Sequence, residues 1–299
     1  MKKVSATGLD TLRAERALLL ISIVFLWLSF QTPASGAVLE IKQPFILAGE
    51  TLLVQLTAGP GTAATVQFLG QKTPMFPSSS KSGIIFRGRI GIPGATPTGP
   101  KPLTVILKTK TGEKLFTKQV EVKGGPPPQI VHLNVPSLNA QGLETLSKET
   151  QQLKKMGRSI NKIRMWRGLF VLPAAGRISG VYGEKRVYNK NLASWAHRGV
   201  DIAAVKGTPV KAANRGKVVL SEKLAEHGNT VVVDHGQGIC TLYLHLGKLN
   251  VKEGQPLAKG QILGWMGASG ISTGSHLHWG LQVNGIAVNP VQWMEQLIL

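Results

Sequence analysis

The chain has 299 residues, 42% of them hydrophobic, with 35 Gly and 17 Pro; this is enough for two ordinary domains and favours turn-rich β structure over helix. Its net charge of +20 is spread out, with 11 Lys and Arg against 4 acidic residues over 38–128 and 20 against 9 over 129–299, a field suited to an anionic polymer or surface. No nucleic-acid-binding motif is present and only 6% of residues are aromatic, which argues against nucleic acid, and a single cysteine excludes an internal disulfide.

Residues 1–37 read as an export signal. Lys2, Lys3, Arg13 and Arg16 form a basic start, Ala17 to Phe30 an apolar run, and Ser35-Gly36-Ala37 a small-residue cleavage site. The run is short for a membrane span, which needs about 20 residues; an uncleaved anchor is the alternative. The expected location is the periplasm, the cell envelope or the exterior.

Residues 38–123 alternate β-patterned runs with turns, as in Thr51–Thr57, Thr65–Leu69 and Leu103–Thr109, and predict a small β-sandwich. A hairpin is expected between Leu103–Thr109 and Lys114–Val122 across Lys110–Glu113. With no histidine, no cysteine and four acidic residues, this module is read as a spacer, docking module or lid. Gly124-Gly125-Pro126-Pro127-Pro128 ends it, and residues 124–168 form a linker with a surface helix from Leu143 to about Ile163. His132, in this linker, is read as a surface or packing residue.

Residues 169–299 hold the chemistry. Ser275-His276-Leu277-His278-Trp279 follows a turn-rich run and reads as a strand, so His276 and His278 share one face and Leu277 turns into the packing. Upstream, His197-Arg198-Gly199-Val200-Asp201 offers an imidazole and a carboxylate that meet if the chain bends at Gly199. With one imidazole of the His-x-His pair they make two His and one Asp, a ligand set that leaves a zinc position for water. In Thr241-Leu242-Tyr243-Leu244-His245-Leu246, alternation puts Thr241, Tyr243 and His245 on one face and the three leucines on the other. His227 and His235, beside Gly228 and Gly236, are read as structural, Cys240 as a buried small hydrophobe, and Trp279 as packing. Gly270-Ile271-Ser272-Thr273-Gly274 matches a serine-hydrolase string but precedes a strand, not the helix that motif requires.

These stretches, together with Gly207-Thr208-Pro209-Val210, Gly228–Gly236, Val251–Gln255 and Gly260–Gly264 in the same order, resemble the M23 family of zinc metallopeptidases, the lysostaphin/LytM-type endopeptidases that cut peptidoglycan cross-links. The resemblance implies a mostly β chain whose C-terminal domain is an antiparallel sheet with an open groove. It implies one Zn2+ held by His197, Asp201 and His278, with acid/base and transition-state roles for His245 and His276. It gives Tyr188, in a variable loop, a part in stabilising the oxyanion. Ser275 departs from the proline that family members often carry there. The expected substrate is peptidoglycan and the expected state a monomer, with peripheral contact to anionic membrane or wall polymer. The rival expectation is a catalytically silent LytM-like protein that binds cell wall or activates another hydrolase. The bond cut, the division of roles between the two histidines and any covering of the groove by the N-terminal module stay open at this level.

Overall fold

A computed structural model describes residues 37–59, 63–80, 83–125, 128–158 and 161–296. The export segment, apart from Ala37, lies outside the described residues. Among those described, no helix is long and apolar enough to cross a membrane.

The first strands are β1 (Val38–Ile41), β2 (Ile46–Leu47), β3 (Thr51–Ala58), β4 (Ala63–Phe68), β5 (Gln71–Ser80), β6 (Gly83–Gly91), β7 (Gly99–Thr109) and β8 (Gly112–Lys123). They join in one eight-stranded path, β1-β3-β6-β5-β4-β7-β8-β2. The long β5 links its two halves, pairing through Gln71–Met75 with β4 and through Phe76–Ser80 with β6. Period-2 alternation turns Leu103, Val105 and Leu107 inward, where they meet Leu52, Val54, Leu56, Val66, Phe68 and Phe86 in one apolar core. The β7–β8 hairpin closes more tightly than the sequence predicts: Thr109 pairs with Gly112, so the turn is Lys110-Thr111, and Gly112 at φ +133° accommodates it.

The linker is more structured than expected. Strand β9 (Ile130–Leu133) runs parallel to β11 (Lys185–Tyr188), and β12 (Ala193–Ala196) completes a three-stranded sheet. Helix α1 spans Ala140–Met156 rather than Leu143 to Ile163, because the Asn139 side chain caps it by accepting the Gly142 N–H at 2.9 Å and the helix ends at Gly157. Nor is α1 only a surface connector: Leu153 and Met156 pack on Leu220, Leu224, Val232, Cys240, Leu242 and Leu244. His132 is exposed, and Cys240 is buried in that apolar layer.

The main C-terminal sheet comprises β10 (Arg177–Gly180), β13 (Val200–Ala203), β14 (Pro209–Lys211), β15 (Gly216–Leu224), β16 (Gly228–Gly236), β17 (Ile239–Leu249), β18 (Pro256–Leu257), β19 (Ile262–Met266), β20 (His276–Val283) and β21 (Ile286–Val288), with the short α2 (Gln292–Glu295) at its end. Its central order is β10-β13-β20-β17-β16-β15-β18, antiparallel throughout. One face carries the larger core, including Val200, Ile202, Tyr243, Leu277, Trp279 and Trp293. The other carries the layer covered by α1 and, farther along the strands, the histidines. The N-terminal strands join this unit on the side of α2. Leu53 enters the larger core, the Thr51 N–H donates to Gln292 Oε1 at 2.7 Å, and the Trp293 Nε1–H donates to Thr51 Oγ1 at 2.9 Å.

Candidate metal centre

Strand register builds the site. Asp201 of β13 pairs with His278 of β20, and Ala203 pairs with His276. Directly paired residues point to the same side, so Asp201, His276 and His278 share one face, while Leu277 and Trp279 are fully buried on the other. His197 comes in from the segment before β13. The chain bends through Gly199, where a Cβ would lie 2.7 Å from His278 Nε2 and 2.5 Å from Trp279 O, so only glycine lets the loop come this close to β20.

The three expected ligands form a small triangle. His197 Nε2 lies 3.1 Å from Asp201 Oδ1 and 2.9 Å from His278 Nδ1, and the latter two atoms are 3.0 Å apart. His197 Nδ1 lies 2.8 Å from the Val181 carbonyl, and in the tautomer that donates its hydrogen there Nε2 is the nitrogen available to a metal. The three donor atoms stand close enough to one another to converge on a single ion bound at about 2.0–2.2 Å by nitrogen and oxygen. Two imidazoles and one carboxylate are donors that zinc accepts, so the residues present fit the group. Burial pushes the His278 pKa down to about 4, which keeps it neutral and available as a ligand.

A set of groups that the sequence reading did not single out stands behind the triangle. Arg186 Nη2 donates to Asp201 Oδ2 at 2.5 Å, and its Nε donates to Glu184 Oε1 at 2.8 Å. Glu184 also accepts the Val181 N–H at 3.2 Å, and its backbone carbonyl accepts the His197 N–H at 2.8 Å. One charged pair thereby fixes both Asp201 and the 181–184 turn that orients His197. Burial alone would raise the Asp201 pKa, but the hydrogen-bonded imidazoles of His197 and His278 hold it well below the usual range.

His245 and His276 stand beside the triangle with ring centroids 4.9 Å apart, and His245 lies 6.3 Å from His278. His276 Nδ1 lies 2.9 Å from the Gly274 carbonyl and its Nε2 is 4.0 Å from Asp201 Oδ1. His245 Nδ1 lies 2.9 Å from the Ser269 carbonyl. Each ring donates its Nδ1–H to backbone and keeps an Nε2 lone pair free. Burial, then His276 and His278, push the His245 pKa down to about 3.

The face predicted for His245 needs correction. Thr241 and Tyr243 are fully buried, and the Tyr243 hydroxyl accepts the Ala213 N–H at 2.8 Å. The alternation resets at His245, whose φ is +63°. There a bulge sets Tyr243 to Leu246 of β17 against only Val231 to Asn229 of β16. Leu246 therefore returns to the core of Tyr243, and His245 is turned toward His276 and His278 instead of following Tyr243.

Tyr188 is also placed differently from the expected loop: it ends β11. Its ring is buried with Val135 and Leu138 and stacks on Trp195 at 4.2 Å between centroids. Burial raises the pKa of its phenol, against the lowering effect of the nearby Arg186 charge, the guanidinium that also holds Asp201. His235 is buried, with Nδ1 2.7 Å from the Arg215 carbonyl, and His227 Nδ1 is 2.6 Å from Glu149 Oε2; neither joins the cluster. Among the described residues, His197, Asp201 and His278 are the group able to hold a metal ion.

An antiparallel β domain with converging imidazoles and a carboxylate on one sheet face has the architecture of a metallopeptidase. Residues 196–290 match the family model "Peptidase family M23", and through this domain the chain belongs to that family. DD-carboxypeptidase/endopeptidase Mpg of Neisseria meningitidis is 39% identical over 116 residues, which is 38% of this chain and 26% of the relative. Peptidoglycan DD-endopeptidase ShyA of Vibrio cholerae is 40% identical over 116 residues, 39% of this chain and 27% of the relative. The match thus spans about a quarter of the length of these curated relatives. A crystal structure assigned to peptidase M23 from Pseudomonas aeruginosa superposes with a TM-score of 0.63 at 27% identity, covering 85% of this chain and 96% of that one.

Proposed function

We propose that this protein is an exported zinc-dependent endopeptidase that hydrolyses peptide cross-links of peptidoglycan in the cell envelope. The observation that carries the reading is the 2.9–3.1 Å triangle of His197 Nε2, Asp201 Oδ1 and His278 Nδ1, flanked by two further imidazoles with free Nε2 atoms. The name peptidoglycan DD-endopeptidase, carried by the Vibrio cholerae relatives ShyA and ShyC, supports the substrate class.

Zinc held by His197, Asp201 and His278 would supply an activated water and polarise the scissile carbonyl. His276 is the neighbour closer to the ligand atoms and takes the proton at Nε2, its ring held by the Gly274 carbonyl. His245, held by Ser269, faces the same space; it hydrogen-bonds the developing oxyanion or passes a proton to the leaving amine. Tyr188 acts through Arg186 on the carboxylate ligand, so its contribution is to hold Asp201. The chain acts as a monomer, and its positive charge favours peripheral contact with anionic wall polymer or membrane.

A digest of purified peptidoglycan with and without chelator tests the function. Chelator-sensitive release of peptide fragments is expected, and mass analysis of the fragments identifies the bond. Retention on peptidoglycan without cleavage would instead support the catalytically silent binder.

A further inference from the structure

Glu149 lies in α1, outside the strands that carry the site, yet it is only 7% exposed. Its carboxylate accepts the backbone N–H of Glu226 at 3.1 Å and of His227 at 3.0 Å, and its Oε2 is 2.6 Å from His227 Nδ1. Hydrogen bonds to a charged acceptor are stronger than neutral ones, so three donors converging from one turn fix that turn to the helix.

The other side of the same turn holds the candidate site. The His227 carbonyl accepts the His245 N–H at 3.1 Å, and the Glu226 carbonyl accepts the Ile271 N–H at 2.7 Å. Ser269 Oγ accepts the Asn229 N–H at 2.8 Å, and the Ser269 carbonyl receives His245 Nδ1–H at 2.9 Å. His245 is thus tied to the turn twice, directly through its backbone and again through Ser269. It needs that support, because its φ of +63° is left-handed, a conformation that crowds the Cβ of any residue but glycine. Released from the turn, the strand relaxes toward plain alternation, which moves the imidazole away from His276.

We propose that Glu149 is a positioning residue: from the connector helix it locks the 225–228 turn and thereby holds the His245 bulge in the conformation that faces His276 and His278. The helix is then a working part of the site and not a tether between modules. The inference rests on the peptidase reading only for its kinetic consequence; the geometric consequence stands without it.

The test uses the full chain loaded with zinc, comparing Glu149→Ala, Glu149→Gln, His245→Ala and the Glu149→Ala/His245→Ala double variant. Hydrogen exchange at the His245 and Ile271 amides is expected to quicken by about tenfold or more in Glu149→Ala, while the amides of β13 and the middle of β20 keep their protection. Bound metal and KM should stay within about twofold while kcat falls about tenfold or more. Glu149→Gln keeps an acceptor oxygen but loses the charge, so it should show the same changes at smaller size, and it is read alone if the alanine variant does not fold. In the double variant the Glu149 change should cost no further activity, since no imidazole remains to position. Unchanged exchange at His245 in a folded Glu149 variant, or a fully additive loss in the double variant, overturns the proposal. An inactive wild-type enzyme would remove the peptidase reading but leave the exchange result to decide this one.

Discussion

Arg186 Nη2 and Asp201 Oδ2 stand 2.5 Å apart, so the carboxylate that offers Oδ1 to the ligand triangle is gripped from behind by a guanidinium. The same guanidinium binds Glu184, which holds the Val181 N–H beside the carbonyl that receives His197 Nδ1–H. Partners that orient metal ligands typically change metal affinity 10–100-fold when altered. Arg186→Lys, which keeps the charge but loses the planar fork, is therefore expected to weaken zinc binding by about that factor. Chelator competition on the folded variant checks it, and unchanged affinity would show that Asp201 needs no such grip.

The triangle and the flanking imidazoles separate by metal content. His197→Ala and His278→Ala each remove one corner and are expected to lose metal and activity together. His276→Ala leaves the three corners intact, so it should retain metal while kcat falls by about 10²–10⁴-fold, the usual range for a general acid or base. Elemental analysis alongside turnover on peptidoglycan distinguishes the classes, and a fully active His278→Ala protein would refute the ligand assignment.

The convergence of His197, Asp201 and His278 was legible in the sequence because these residues obey local rules. Alternation put His276 and His278 on one face of a strand, and a glycine between His197 and Asp201 announced the bend. His245 was found as a residue but given the wrong neighbours, since a bulge is set by what the partner strand can accommodate and leaves no mark in a run of alternating residues. Arg186 and Glu149 were out of reach for a different reason. Each acts across the fold, fifteen residues from Asp201 in one case and on a separate helix in the other, where no periodicity connects the partners. The helix boundary was displaced by a single side chain, the Asn139 cap.

His235 gives the fold a pH dependence separate from the site. Burial pushes its pKa down to about 4 from an ordinary 6.5, and the Arg215 carbonyl that receives its Nδ1–H offsets only part of that. Between those two values the unfolded chain binds a proton that the folded one refuses, so stability is full above pH 6.5 and falls as the pH drops toward 4. The shift corresponds to roughly 3 kcal/mol over that window. Denaturant unfolding at pH 7 and pH 4 should show a smaller pH difference in His235→Asn than in the wild type, whatever the variant's absolute stability. Equal differences in the two proteins would mean that His235 titrates alike folded and unfolded.

Gly199 offers the most local test of the site's construction. An added methyl there meets Trp279 O at 2.5 Å and His278 Nε2 at 2.7 Å, and the first of these is backbone that cannot swing aside. Gly199→Ala must therefore push β13 away from β20, which separates Asp201 from its register partner His278. Overpacking of this kind costs about 1–3 kcal/mol of stability, and the opening of the triangle adds a loss of zinc affinity on top of it. Gly59→Ala is the matched control, because a Cβ there meets nothing within 4 Å. Thermal unfolding with and without zinc should show both a lower melting temperature for Gly199→Ala and a smaller increase on adding metal, while Gly59→Ala follows the wild type in both. A Gly199→Ala protein that binds zinc like the wild type would mean that the bend tolerates a side chain and that the close approach of the His197 loop to β20 is not what sets the ligand geometry.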